Sequence, residues 1–164
     1  MVIIVMGVSG CGKSTIGRLL ADRQGATFLD ADDFHTPEAV AKMRSETPLT
    51  DEDRAGWLVR LRAEIEQRLG SGENLVLACS ALRETYRQRL ARAGESVRFV
   101  YLRGTFEQIR SRLTARAGHY MPASLLQSQF AILEEPVYSL NVDVDMEPEA
   151  AVARILRLLG QLDP

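Results

Sequence analysis

The sequence predicts an α/β fold, a three-layer α/β/α sandwich around a parallel sheet of about five strands. Three observations carry this reading. Short apolar runs rich in β-branched residues alternate about five times with stretches of helical periodicity, the pattern of strand–helix–strand units rather than of hairpins. The first run, Val2–Met6, is apolar throughout, as a strand covered on both faces must be. The chain has 164 residues, the size of one domain, and a chain of about 150 residues hides about two-thirds of its surface without staples.

Each element has its own signal. After the first strand, a helix over residues 14–24 carries Ile16, Leu19 and Leu20 on one face and stops at Gly25. Thr27–Asp30 reads as a second short strand. Residues 31–48 are polar and read as a loop with a short helix near residues 38–44. Thr50 and Asp53 form a capping-box-like start, and Trp57, Leu58, Leu61, Ile65 and Leu69 mark one face of the helix that runs to Gly70. Residues 74–79 are a third buried strand. Leu82, Tyr86 and Leu90 continue as a helix closed by Gly94. Residues 97–102 are a fourth strand. Thr105 with Gln108 caps a helix bearing Phe106, Ile109 and Leu113. Residues 116–122 are irregular and basic. Leu125, Leu126, Phe130 and Leu133 mark a further helix, stopped by Pro136. Residues 142–144 read as the last strand, and Pro148 suits the first turn of a final helix with Val152, Ile155, Leu156 and Leu159. Right-handed crossovers follow from the parallel arrangement.

Composition excludes several classes. Hydrophobic residues are 46% and charged residues 26% of the chain, ordinary globular usage that excludes disorder. Twenty Lys+Arg face 22 Asp+Glu for a net charge of -2, so no general affinity for nucleic acid or a membrane surface is expected. No apolar run reaches the ~18 residues of a membrane span. The N-terminus lacks a basic leader and a cleavage site, so a cytoplasmic location is expected. Cys11 and Cys79 stand apart and read as reduced, buried fillers rather than as metal ligands.

The sharpest signal is Gly7-Val8-Ser9-Gly10-Cys11-Gly12-Lys13-Ser14, which fits G-x-x-x-x-G-K-[ST], the phosphate-binding P-loop. It follows a predicted strand and opens a predicted helix, as the motif requires. Glycines let the backbone curl so that the N–H groups of residues such as Ser9, Gly10, Cys11 and Gly12 turn toward phosphate oxygens. Lys13 brings a positive charge to the β- and γ-phosphates, Ser14 offers a hydroxyl to Mg²⁺, and the helix entered through Thr15 aims its N-terminus at the anion. ATP with Mg²⁺ is the expected nucleotide.

No apolar strand ends in the metal-holding aspartate typical of motor ATPases. The second strand instead runs into Asp30-Ala31-Asp32-Asp33. Asp32 lies just past a strand C-terminus, on the edge where ligands of open α/β sheets bind. A kinase for a small molecule needs a carboxylate over the acceptor hydroxyl, and Asp32 is placed for that role.

The P-loop, Asp30 and Asp32, His35, Lys42-Met43, Pro48-Leu49, Asp53-Arg54, Trp57-Leu58, Cys79-Ser80-Ala81-Leu82 and Tyr86-Arg87 together resemble the gluconokinases, small P-loop kinases of the shikimate kinase and adenylate kinase type. The resemblance continues through Tyr101-Leu102-Arg103-Gly104, Arg112, Arg116, Gly118-His119-Tyr120, Ser128-Gln129-Phe130 and Leu133-Glu134-Glu135-Pro136. It implies a single P-loop kinase domain over residues 1–164 of the nucleoside-monophosphate-kinase-like type. Within it, an acceptor-binding segment would cover about 31–58 and a mobile lid about 112–124. It implies ATP-dependent phosphorylation of D-gluconate at the 6-hydroxyl and leans toward a homodimer. Ala31, Ala39, Glu46 and Gly56 stand where the family pattern has Gly, Asn, Gly and Pro, all within the acceptor segment.

A sugar acid needs a cation for its carboxylate and hydrogen-bonding groups for its hydroxyls. Arg54 is the leading carboxylate anchor, because a planar guanidinium grips a carboxylate with two parallel bonds. Lys42 is a further anion candidate, and His35 can bond a hydroxyl. Ser80 reads equally as a substrate contact and as a helix N-cap. Arg83 and Arg87, four apart, read equally as an acceptor-facing pair and as a solvated helix face; a nucleoside monophosphate acceptor would demand extra arginines, which these two could provide. The resemblance sets Arg112 near the adenine or the phosphates and makes Arg116 a lid arginine that stabilises transferring phosphoryl charge. Trp57 and Phe130 read as core.

Overall fold

The computed structural model describes residues 1–45, 47–92, 94–115 and 123–162. Five parallel strands, β1 (Val2–Met6), β2 (Thr27–Asp30), β3 (Leu75–Ala78), β4 (Val97–Arg103) and β5 (Leu140–Asp143), form one sheet in the order β2-β3-β1-β4-β5. The helices are α1 (Lys13–Gln24), α2 (Pro37–Arg44), α3 (Asp51–Ser71), α4 (Glu84–Leu90), α5 (Phe106–Ala115), α6 (Ala123–Ile132) and α7 (Pro148–Leu162), with a 3-10 turn at Ala31–Phe34. No helix among the described residues is long and apolar enough to cross a membrane.

The central strand shows why the sandwich has three layers. All five residues of β1 are buried. Ile3 and Val5 join the core under α1 and α7, with Ile16, Leu20, Val152 and Ile155. Val2, Ile4 and Met6 join the opposite core, with Trp57, Leu58, Leu61 and Ile65 of α3 and Tyr86 and Leu90 of α4. Period-two alternation therefore feeds two cores, and polar residues have no place on either face. β1 and β3 match Val2 to Leu75 through Val5 to Ala78, and β1 and β4 match Val2 to Val97 through Met6 to Tyr101. This register brings the C-terminal ends of β1, β2, β3 and β4 to one edge, where the loops that follow them can share a ligand.

The caps act where the sequence places them. Thr50 and Asp53 form a reciprocal capping box, with Asp53 N donating to Thr50 Oγ1 at 3.2 Å and Thr50 N donating to Asp53 Oδ2 at 2.9 Å. Gly25 ends α1 in the left-handed conformation. Thr105 and Gln108 cap α5 in the same reciprocal way.

One boundary departs from expectation. The helix expected from Leu82 begins at Glu84 and ends at Leu90. The carbonyls of Ala81 and Leu82 are taken by the Arg87 guanidinium, and that of Leu82 also by the Glu134 amide at 2.8 Å, so they cannot start a helical ladder. Ala81 itself sits at φ 45°, outside helical geometry. Ser80 is therefore not a helix N-cap; Arg83 occupies that position without a side-chain cap bond.

Candidate functional site

The loop after β1 is packed from the far half of the chain. A Cβ on Gly7 would lie 2.9 Å from the Leu102 carbonyl, and one on Gly10, at φ +83°, would lie 2.6 Å from the Leu113 side chain of α5. Only glycine fits such approaches. Lys13 Nζ donates to the Val8 carbonyl at 3.0 Å, folding its charge back over the loop. Ser14 Oγ donates to Asp30 Oδ2 at 2.6 Å, and the other oxygen of Asp30 accepts from the Asp32 amide at 3.1 Å. Asp30 thus ties the P-loop to the turn that carries Asp32. Ser14 and Asp30 make a hard oxygen pair of the kind Mg²⁺ accepts.

The Asp32 side chain is open, 85% exposed. Even so, the protein around the cleft and then the carboxylate of Asp30 hold its pKa above the ordinary carboxylate value, with Lys13 opposing them. His35 stacks on Trp57 with ring centroids 4.8 Å apart and planes within 7°. Its Nε2 lies 3.9 Å from Asp32 Oδ1, and its Nδ1 is buried without a partner among the described residues. Burial lowers its pKa, against the pull of Asp32. Trp57 Nε1 donates to the Ala31 carbonyl at 2.7 Å, so α3 braces the turn between the two acids.

These groups open onto one cavity of about 730 Å³. Ser9, Lys13, Asp32, His35, Arg54, Ser80 and Arg83 all line it. Arg54 donates to the Leu49 carbonyl and lies 5.8 Å from the centre of the Tyr86 ring. Arg83 pairs with Asp51 at 3.3 Å, and Asp51 also accepts from the Tyr86 hydroxyl. A second, smaller cavity on the other side of the P-loop is lined by Cys11, Gly12, Thr15 and Arg112, with Asp143 and Met146 among the remaining walls. Cys11 and Cys79 are buried and free; burial pushes the Cys11 thiol up and that of Cys79 up to about 12.

Two expected site residues stand elsewhere. Lys42 does not line the cavity and is ion-paired with Asp53 at 2.7 Å. Arg87 is buried, with its guanidinium on the carbonyls of Ala81 and Leu82 and on Glu84, and does not share a solvated face with Arg83. Arg116, Glu46 and most of the expected lid lie outside the described residues. Trp57 is core, 2% exposed, and a wall of the cavity as well. Phe130 packs edge-on against Phe106. Ala31 and Ala39 are buried, and neither they nor Gly56 line the cavity, so these departures from the family pattern leave its walls alone.

Sequence reasoning gave no ligand role to Asp30, Asp51 or Gln129. Asp30 had a signal, as the first acid of Asp30-Ala31-Asp32 at a strand end. Gln129 comes from α6 and meets the P-loop through two hydrogen bonds with Ser9. No local pattern announces a contact across 120 residues.

Comparison with known proteins agrees with this geometry. A family model described as an AAA domain matches residues 2–136. The gluconokinase of Arabidopsis thaliana is 43% identical, covering 97% of this chain and 92% of that protein. The crystal structure of a gluconokinase from Sinorhizobium meliloti 1021 superposes with a TM-score of 0.86 at 42% identity, over 98% of this chain and 91% of the other. That of a sugar kinase from Janibacter sp. HTCC2649 gives 0.89 at 47% identity, over 97% and 94%. Relatives this similar over nearly the whole length, on a P-loop that opens beside an acidic turn, show that the chain belongs to the gluconokinase family.

Proposed function

We propose that the chain transfers the γ-phosphoryl group of ATP to the 6-hydroxyl of D-gluconate, giving 6-phospho-D-gluconate and ADP. The observation that carries this reading is the placement of Lys13, Asp32 and Arg54 on the walls of one cavity large enough for a six-carbon acid. Gluconokinases from bacteria and plants among its relatives support the same reaction.

In this reading Arg54, with Arg83 beside it, holds the acceptor carboxylate, and His35 and Ser80 hydrogen-bond its hydroxyls. Asp32 orients the 6-hydroxyl and accepts its proton as the oxygen attacks phosphorus and the bond to the ADP oxygen breaks. Lys13 and the loop amides other than that of Ser9, which Gln129 holds, bind the phosphates, and Thr15, Cys11, Gly12 and Arg112 line the nucleotide side. Mg²⁺, which would be held by Ser14 and Asp30 together with the phosphates, supplies charge neutralisation when bound. Positioning and charge carry most of the rate in such a transfer. The acceptor-binding reading of segment 31–58 is supported along its length, from Asp32 and His35 through Met43 and Leu49 to Arg54 and Trp57, all on the cavity wall.

Of Arg83 and Arg87, the pair that could serve a nucleoside monophosphate, Arg87 is buried on backbone carbonyls and is not available to an acceptor.

The test is ADP release with Mg-ATP and D-gluconate, beside other aldonic acids, shikimate and nucleoside monophosphates. Turnover with gluconate at least tenfold above every other acceptor is expected. Turnover of another acid in preference to gluconate would overturn the acceptor assignment, and ATP binding without turnover of any acceptor would overturn the kinase reading.

A further inference from the structure

The third residue of the P-loop is held by a side chain from the other end of the domain. Ser9 N donates to Gln129 Oε1 at 2.7 Å, and Gln129 Nε2 donates to Ser9 Oγ at 3.0 Å. The amide orientation follows from chemistry. A backbone N–H can only donate, so the amide oxygen must face it and the amide NH₂ must face the hydroxyl. The Ser9 oxygen is therefore an acceptor in this contact, and its own proton is directed elsewhere. No acceptor for that proton is present among the hydrogen bonds of the described residues. Ser9 and Gln129 both line the large cavity, with Lys13 and Asp32.

The Ser9 amide is at the same time turned toward α6 rather than toward the interior of the loop. Of the two hydrogen-bond donors Ser9 brings to the P-loop, the amide is held by Gln129 and the hydroxyl is aimed by it. Lys13 and Asp32 line the same cavity as Ser9, so a phosphoryl group passing between them would offer the hydroxyl an acceptor. From this geometry we infer that Gln129 is a positioning residue for phosphoryl transfer: it fixes the Ser9 hydroxyl as a hydrogen-bond donor to the terminal phosphate, between the phosphate loop and the acceptor. The inference rests on the kinase reading above, but its acceptor-independent part does not depend on which acid is phosphorylated.

Gln129→Met removes both hydrogen bonds at nearly constant volume and adds no charge, and Ser9→Ala removes the hydroxyl alone. Two quantities are read for the wild type, both single variants and the double variant: kcat with gluconate, and the ratio of Mg-ATP to Mg-ADP affinity by calorimetry. Each single variant is expected to lower kcat by about tenfold, the worth of one well-placed hydrogen bond. Each is also expected to lower the ATP-over-ADP preference, because only ATP presents the terminal phosphate. In the Ser9→Ala background, Gln129→Met should lower either quantity by less than about threefold, since the hydroxyl it positions is gone. Its effect on thermal stability should persist in the Ser9→Ala background, because the contact with the Ser9 amide is lost in both, and be smaller there by the hydroxyl bond already removed.

A role confined to bracing the loop predicts the opposite: losses that multiply in the double variant, or an ATP-over-ADP ratio that does not move. Either result overturns the inference. If the wild type fails to turn over gluconate while the affinity ratio shows the expected coupling, the acceptor assignment falls and the role of Gln129 stands.

Discussion

Ser14 Oγ lies 2.6 Å from Asp30 Oδ2, joining the end of the phosphate loop to the end of β2. The same carboxylate receives the Asp32 amide, so one side chain touches both the metal-binding side and the acid–base side of the proposed site. Asp30→Ala should raise the Mg²⁺ concentration needed for half-maximal activity by about tenfold or more, as the loss of one charged oxygen ligand would. It should lower kcat as well, through the freed turn. A titration of activity against Mg²⁺ at fixed ATP checks this, and an unchanged midpoint with a lowered kcat would limit Asp30 to positioning.

Asp32 predicts opposite changes in activity and stability. Asp32→Asn should lower kcat by about 10²–10⁴, the usual worth of a general base, and leave the affinity for ATP within about twofold. In the wild type, kcat/KM should fall as pH drops through the pKa of Asp32, which the surrounding protein and Asp30 hold above the ordinary value. The sign for stability follows from the same shift. A carboxyl whose folded pKa is raised holds its proton more tightly in the folded state, so ionisation works against folding. That penalty is absent below the unfolded value and complete above the folded one. Asp32→Asn should therefore raise Tm at neutral pH and change it little near pH 3, measured by thermal unfolding across pH.

Arg83 and Arg87 separate function from scaffold. Arg83 forms an exposed pair with Asp51 that contributes little to stability, and lines the cavity. Arg83→Gln should leave Tm nearly unchanged and raise KM for gluconate by about tenfold, the loss of one charge-assisted contact. Arg87→Met strips the buried carbonyls of Ala81 and Leu82 of their guanidinium partner. An unpaired buried polar group costs about 1–3 kcal/mol, so this variant should unfold several degrees lower. Urea unfolding beside steady-state kinetics distinguishes the two, and equal effects of both substitutions on KM would contradict the assignment.

His35 adds a second pH dependence, with the opposite group. Burial against Trp57 lowers its pKa from the ordinary histidine value of about 6.5. The folded state then holds fewer protons on this ring than the unfolded chain, so stability falls as pH drops below about 6.5 toward the lowered value. The residues on either side of the ring, Asp32, Arg54 and Arg60, all bear on it. In His35→Gln the change in Tm between pH 7.5 and pH 5.5 should be smaller than in the wild type.

Much of this site was legible in the sequence, for a physical reason. The P-loop, Asp32 and Ser80 sit just past the ends of strands, where the chain turns, and strand ends announce themselves through composition. The capping box at Thr50 and Asp53 placed the start of α3, and so Arg54, within its first turn. What the sequence hid depends on side-chain direction. Lys42 reads as an anion ligand by charge alone, yet its ammonium is paired with Asp53 and it does not line the cavity. Arg87 reads as a partner of Arg83 by spacing, but the chain before α4 leaves the helix and its carbonyls draw Arg87 inward. The grip of Gln129 on Ser9 spans the domain, and only the assembled sheet brings α6 to the loop.

Gly10 carries the last prediction. Its φ of +83° is one that residues with a Cβ rarely adopt, and a methyl there would meet Leu113 at 2.6 Å. Two penalties are thus superposed. The backbone term is about 1–2 kcal/mol for a side chain forced into left-handed geometry, and the contact term depends on whether Leu113 can move. Gly10→Ala should weaken Mg-ADP binding by about tenfold or more, since Ser9 and Cys11 flank the shifted peptide. Leu113→Ala opens the space at a stability cost of about 2–5 kcal/mol if the leucine is well packed, less here because it is only half-buried. The double variant should bind Mg-ADP more tightly than Gly10→Ala alone but less tightly than the wild type, because removing the clash leaves the strained φ in place. Calorimetric titration of the four proteins measures both terms. Full recovery in the double variant would mean that the contact with α5, rather than the backbone conformation, is what keeps glycine at this position.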